Sequence, residues 1–136
     1  MKTRPRPPKV IGEWVELRFM SRAADKGLTI SKPYGDSAPF DFVVGRRKLH
    51  RVQVRGTSIY TRRRAYVVHL LRGRPAVRFS RRDFDFLAVY IIPLEAWYLI
   101  PVGSLPRRRS GLQLFPHIPV SSSRFEKFRD AWHLLR

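Results

Sequence analysis

Three oxygen donors can be read from one short span of this chain. Asp41 opens an apolar run, Asp41-Phe42-Val43-Val44, and after a basic turn a second run reads Arg51-Val52-Gln53-Val54-Arg55. The carboxylate of Asp41, the side-chain carbonyl of Gln53 and the main-chain carbonyl of Val54 are the kind of hard ligand that Mg²⁺ takes. A cation held by such groups neutralises a non-bridging phosphate oxygen and acidifies a water, which is the chemistry of phosphodiester hydrolysis. Along a strand, residues two apart share a face. Gln53 and Arg55 then point the same way, with Val52 and Val54 turned toward a core, so one strand presents a ligand and a cation together.

A further carboxylate must come from elsewhere in the chain. From Ile11 to about Lys26 the apolar or small residues Ile11, Trp14, Val15, Leu17, Phe19, Ala23 and Ala24 fit an amphipathic helix loosely, and Gly27 suits its C-terminal stop. Glu13 and Glu16 lie one turn apart on it, and either can face the strands.

Taken together, Gly12 to Glu16, Gly27, Lys32-Pro33-Tyr34-Gly35-Asp36, Phe40-Asp41 and Arg51-Val52-Gln53-Val54-Arg55 resemble the PD-(D/E)XK nuclease superfamily. The likeness is to the homing-endonuclease branch encoded within group I introns, with a similar core in Holliday junction resolvases. DFDFLAVYIIP, WYLIPV and the closing RFEKFRDAWHLL also look like that branch, so the resemblance spans most of the chain. It implies an α/β fold: a single restriction-endonuclease-like domain with a mixed central β-sheet flanked by helices. It also implies Mg²⁺, with Mn²⁺ as a possible substitute, held by Glu16, Asp41, Gln53 and the Val54 carbonyl for cleavage of double-stranded DNA. Counting back from Gly27 favours Glu16 over Glu13 as the helix glutamate. Cutting both strands needs two such sites, which implies a homo-oligomer, a dimer or tetramer.

One position departs from that pattern. Where the family has lysine, this chain has Arg55. A guanidinium stays charged and is a broad planar fork, whereas an ammonium is compact and can shift its pKa. Arg55 is therefore expected near the scissile phosphate and not as a base.

Composition points the same way. Lys and Arg total 28 against ten Asp and Glu among 136 residues, a formal charge of +18, which calls for a polyanionic partner, nucleic acid first. The basic residues are spread through strands and turns and form no single amphipathic face, which argues against a membrane surface. Arg46-Arg47-Lys48, Arg62-Arg63-Arg64, Arg72 with Arg74, Arg81-Arg82 and Arg107-Arg108-Arg109 fall mainly at expected turns, with Tyr60 and Tyr66 nearby. With 43% hydrophobic residues the chain can fold in spite of its charge, and the absence of cysteine excludes a disulfide scaffold and Cys-type zinc sites. No apolar run approaches a membrane span, and MKTRPRPPK lacks the apolar stretch of a secretory signal, so a cytoplasmic location is the default expectation.

The elements that would position these groups follow from the pattern. Residues 1–10 read as a flexible basic arm and 11–136 as one domain. Strands are expected near Leu28 to Ser31, Phe40 to Val44, Leu49 to Thr57 and Ala65 to Leu71. Phe86 to Ile92 is a continuous apolar run that suits a buried strand, with Ala96 to Val102 paired to it. Gly103 to Pro119 reads as an Arg- and Pro-rich loop. Ser123-Arg124-Phe125-Glu126 has the form of a capping box and predicts a last helix to about Leu135. Asp36 reads as a turn carboxylate, Asp83 and Asp85 as a helix cap or surface charge, and His50, His69, His117 and His133 show no metal-ligand spacing.

Overall fold

The computed structural model describes residues 6–72, 77–78, 80–106, 111–119 and 123–136, with no side-chain description for 71, 72, 77 and 78. Helix α1 runs over Pro8–Asp25, starting three residues before the expected Ile11 because Pro8 sits at its first turn, where a missing N–H is no loss. It ends where the sequence says. Gly27 takes φ +73°, its N–H donates to the Ala24 carbonyl at 2.9 Å, and the Leu28 N–H donates to Ala23 at 3.1 Å. That is a Schellman closure, and the buried Leu28 packs in the same cluster as Ala23.

Strands β1 (Thr29–Ser31), β2 (Phe42–Gly45), β3 (Leu49–Thr57), β7 (Phe86–Ile91) and β8 (Ala96–Pro101) form a five-stranded sheet ordered β1-β2-β3-β7-β8. All neighbours are antiparallel except β3 and β7, which run parallel with Gln53 opposite Leu87 and Arg55 opposite Val89. The expected mixed α/β sheet is present. In β3 burial alternates, with Val52 and Val54 buried and Gln53 and Arg55 half-buried, while all six residues of β7 are buried. A central strand covered on both faces requires such a continuous apolar run.

One face of the sheet packs on α1. Val15, Phe19 and Ala23, spaced four apart, meet Phe42, Val44, Val52, Val54, Ala88 and Leu99. Phe19 stacks on Phe42 with ring centroids 5.4 Å apart and meets Trp97 edge-on at 5.6 Å. The other face carries Leu87, Val89, Ile91, Tyr98 and Ile100, and it is covered by a β-ribbon, β4 (Tyr66–His69) with β9 (Gly111–Leu114), together with Phe125 and Phe128. A small pair, β5 (Leu71–Arg72) with β6 (Val77–Arg78), completes the strands.

Two expectations are corrected here. The stretch read as loop from Gly103 to Pro119 contains β9, whose Leu112 and Leu114 are buried on the sheet. The capping-box helix does not form: short 3-10 turns, Glu126–Phe128 and Trp132–Leu135, stand in its place. Glu126 is unavailable to cap because its carboxylate takes the Tyr98 hydroxyl at 2.8 Å and the Arg129 guanidinium at 3.1 Å. Arg129 is extended and Asp130 lies at φ +52°, so the backbone turns away from helix between the two turns. Among the described residues no helix is long and apolar enough to cross a membrane.

Candidate active site

The site is built where β2 leaves the sheet. Asp41 donates its N–H to the Val52 carbonyl at 2.9 Å, the last main-chain link of β2 to β3. One step further along β3 the Val54 N–H would lack a strand partner, and the Asp41 carboxylate accepts it at 2.7 Å. Because Val52 and Val54 are two apart, the Val54 carbonyl faces this same edge. Phe42 faces α1, so the preceding Asp41 leaves β2 on the opposite side, the side shared by Gln53 and Arg55.

The charges around Asp41 define the rest. Burial pushes its carboxyl above the ordinary carboxylate value, the Val54 N–H opposes this, the charge of Glu16 raises it again, and Arg55 and Lys32 pull it down. Glu16, Asp41, Arg55 and Lys32 thus lie within one electrostatic neighbourhood. Of the two candidate glutamates, Glu16 is half-buried beside the core residue Val15, whereas Glu13 is exposed. Gln53 shares the strand face of Arg55 by alternation.

Lys32 was not among the residues singled out by type and spacing. It follows β1 directly, and the pairing of Ser31 with Val43 sets it beside the start of β2. Its ammonium lies 3.0 Å from Glu16 Oε1 and 5.1 Å from the centre of the Phe42 ring. The only sequence signal was its place ahead of Pro33-Tyr34-Gly35-Asp36.

The donor set is oxygen throughout: two carboxylates, an amide carbonyl and a backbone carbonyl. Such a set suits Mg²⁺ or Mn²⁺. A cation fits the electrostatics too, since it would offset the burial and the Glu16 charge that together disfavour the ionised form of Asp41. Among the described residues no three His, Cys, Asp or Glu side chains gather as a metal-binding group, so the amide and the backbone would complete the shell.

Other carboxylates are structural. The Asp85 carboxylate accepts the Arg51 N–H at 2.8 Å and pairs with its guanidinium at 3.2 Å; burial works against its charge, but these bonds hold it below the ordinary range. Asp83 accepts the Ser80 N–H at 2.7 Å and closes a turn, so neither residue caps a helix. Asp36 is exposed. His50 is buried edge-on to Phe86 at 5.1 Å, and among the described residues it belongs to no cluster of metal-ligating side chains. Arg46-Arg47-Lys48, Arg62-Arg63-Arg64 and Arg81-Arg82 are all exposed, and Arg46 and Arg47 share an open hollow with Arg136. Arg74, Arg107-Arg108-Arg109 and the side chain of Arg72 lie outside the described residues.

Residues 7–135 match the family model described as PD-(D/E)XK endonuclease. Among solved structures the chain is similar to a bacterial homing endonuclease, I-Ssp6803I, with TM-score 0.78 and 28% identity over 95% of this chain and 93% of that one. It is also similar in fold to the Holliday junction resolvase Hjc of Archaeoglobus fulgidus, with TM-score 0.52 and 17% identity over 82% of this chain and 93% of that one. No curated protein matches it.

Proposed function

Because this chain belongs to the PD-(D/E)XK endonuclease family, we propose that it is a homing-endonuclease-like enzyme that hydrolyses phosphodiester bonds in double-stranded DNA with Mg²⁺ or Mn²⁺. The observation that carries this reading is Asp41, held on the Val54 N–H beside Glu16 at the point where β2 and β3 part. Glu16, Asp41, the Gln53 amide and the Val54 carbonyl would hold the cation. When bound, such an ion supplies charge neutralisation at the phosphate and a more acidic water. The Val54 N–H fixes the Asp41 carboxylate, and Arg55 offers its fork to phosphate oxygens from the strand face it shares with Gln53. The exposed arginine groups bind the backbone of the duplex without reading its sequence. Cleavage of both strands brings two copies together, as a dimer or a tetramer.

Cleavage of supercoiled plasmid and pooled genomic DNA with Mg²⁺ or Mn²⁺ tests this, with Asp41→Ala beside the native protein. Metal-dependent nicking that the substitution abolishes is the expected result. The absence of cutting by either, with DNA binding retained by both, would instead support a second reading, a DNA-binding module that kept the fold without turnover. Arg55 at the family's lysine position is the observation in its favour.

A further inference from the structure

We infer that Lys32 supplies the ammonium of this cleavage site, in place of the lysine that the β3 position lacks. This rests on the nuclease reading above. Arg55 cannot serve as a compact ammonium, because its planar fork is broad and permanently charged. A lysine is nevertheless present, brought in from a different strand: Lys32 lies 3.0 Å from Glu16 Oε1 and acts electrostatically on Asp41. Its ammonium also lies over the Phe42 ring, 5.1 Å from the centroid, at the start of β2, while the side chain is 57% exposed and so retains freedom to move. The ion pair therefore has two consequences. Without a divalent cation the ammonium neutralises Glu16; with the carboxylates engaged by such a cation, it is released to a non-bridging oxygen of the phosphate, donating hydrogen bonds as negative charge develops there. The two cations then divide the work: Arg55 grips phosphate from the β3 face and Lys32 from the α1 side.

The test combines cleavage, DNA affinity and metal binding on native protein, Lys32→Met, Lys32→Gln, Arg55→Lys and Lys32→Met with Arg55→Lys. Lys32→Met and Lys32→Gln should each lower metal-dependent cleavage by about 100-fold while melting temperature and DNA affinity stay near native, and Arg55→Lys should restore cleavage to Lys32→Met. Titration with Mn²⁺ alone, in the absence of DNA, should show Lys32→Met binding the ion several-fold more tightly than native, because a competing cation has left Glu16. Native cleavage unaffected by loss of Lys32 would overturn the inference and leave the nuclease reading intact. An inactive native protein made active by Arg55→Lys would overturn it as well, since the ammonium was then missing. An inactive native protein and an inactive Arg55→Lys would remove the nuclease reading itself and this inference with it. Mn²⁺ affinity unchanged by Lys32→Met would refute the competition at Glu16.

Discussion

Val15 of α1 lies directly over Gly56 of β3: a Cβ at residue 56 would come 2.7 Å from Val15 Cγ2. Their chain neighbours are Glu16 and Arg55, so this close approach sets the distance of the helix glutamate from the strand that carries the cation. A glycine is needed here for contact with a neighbour and not for backbone freedom.

Gly56→Ala should therefore displace α1. Val15 is β-branched and buried, so it cannot yield cheaply, and overpacking of this kind costs about 1–3 kcal/mol. Denaturant unfolding should show the loss, and cleavage should fall with it. Adding Val15→Ala should recover part of both, and failure of the double variant to improve on Gly56→Ala would mean that another contact is responsible.

Glu16 and Glu13 should separate in mutagenesis. Glu16→Ala should abolish metal-dependent cleavage, while Glu13→Ala, at an exposed position, should leave it within a few-fold of native. The reverse pattern would place the wrong helix turn at the site.

Asp41 carries a pH signature. Its carboxyl is raised in the folded protein, first by burial and then by Glu16, so the fold holds the proton more tightly than the unfolded chain does. The stabilisation from that proton is complete below the ordinary value of 3.8 and is lost as pH rises through the raised one. In metal-free buffer Asp41→Asn, which keeps an acceptor for the Val54 N–H, should melt higher than native near neutral pH, with the gap closing on acidification. Saturating Mn²⁺ should raise the melting temperature of the native protein, by about 2.7 kcal/mol of stabilisation at 100 times Kd, and leave Asp41→Asn unchanged. A gap that does not vary with pH would contradict the assignment.

Tyr98 is buried, and burial together with its bond to Glu126 keeps its hydroxyl protonated and donating. Tyr98→Phe leaves Glu126 Oε2 without that donor. Urea unfolding should show a loss of about 1–3 kcal/mol, with cleavage by the folded protein retained, because the pair ties β8 to the Glu126–Phe128 turn and includes none of the candidate site residues.

Binding to duplex DNA should weaken steeply with salt. For six to ten phosphate contacts the expected loss is about 10³–10⁵ between 50 and 200 mM salt. An affinity that held constant over that range would exclude counterion release as its basis.

The parts of the site that were legible in the sequence are those set by local geometry. Strand alternation placed Val52 and Val54 inward and Gln53 and Arg55 together, Gly27 marked the helix end, and the unbroken apolar run of β7 announced a strand buried on both faces. The capping box failed for a physical reason: Glu126 has more to gain from Tyr98 and Arg129, 28 residues before and three after it, than from a helix N-terminus.

By itself, then, the sequence determined the oxygen donors on offer, the strand that carries Gln53 and Arg55, the net charge of +18 and an arginine at residue 55. The tertiary structure alone decided that Glu16 is half-buried while Glu13 is exposed, how Asp41 reaches the Val54 N–H, that β9 closes the second face and that Lys32 stands against Glu16. Periodicity governs neighbours along one element. Contacts such as Lys32 with Glu16 depend on the β1–β2 register and on the packing of α1 over Gly56, and those are set by burial of the whole core.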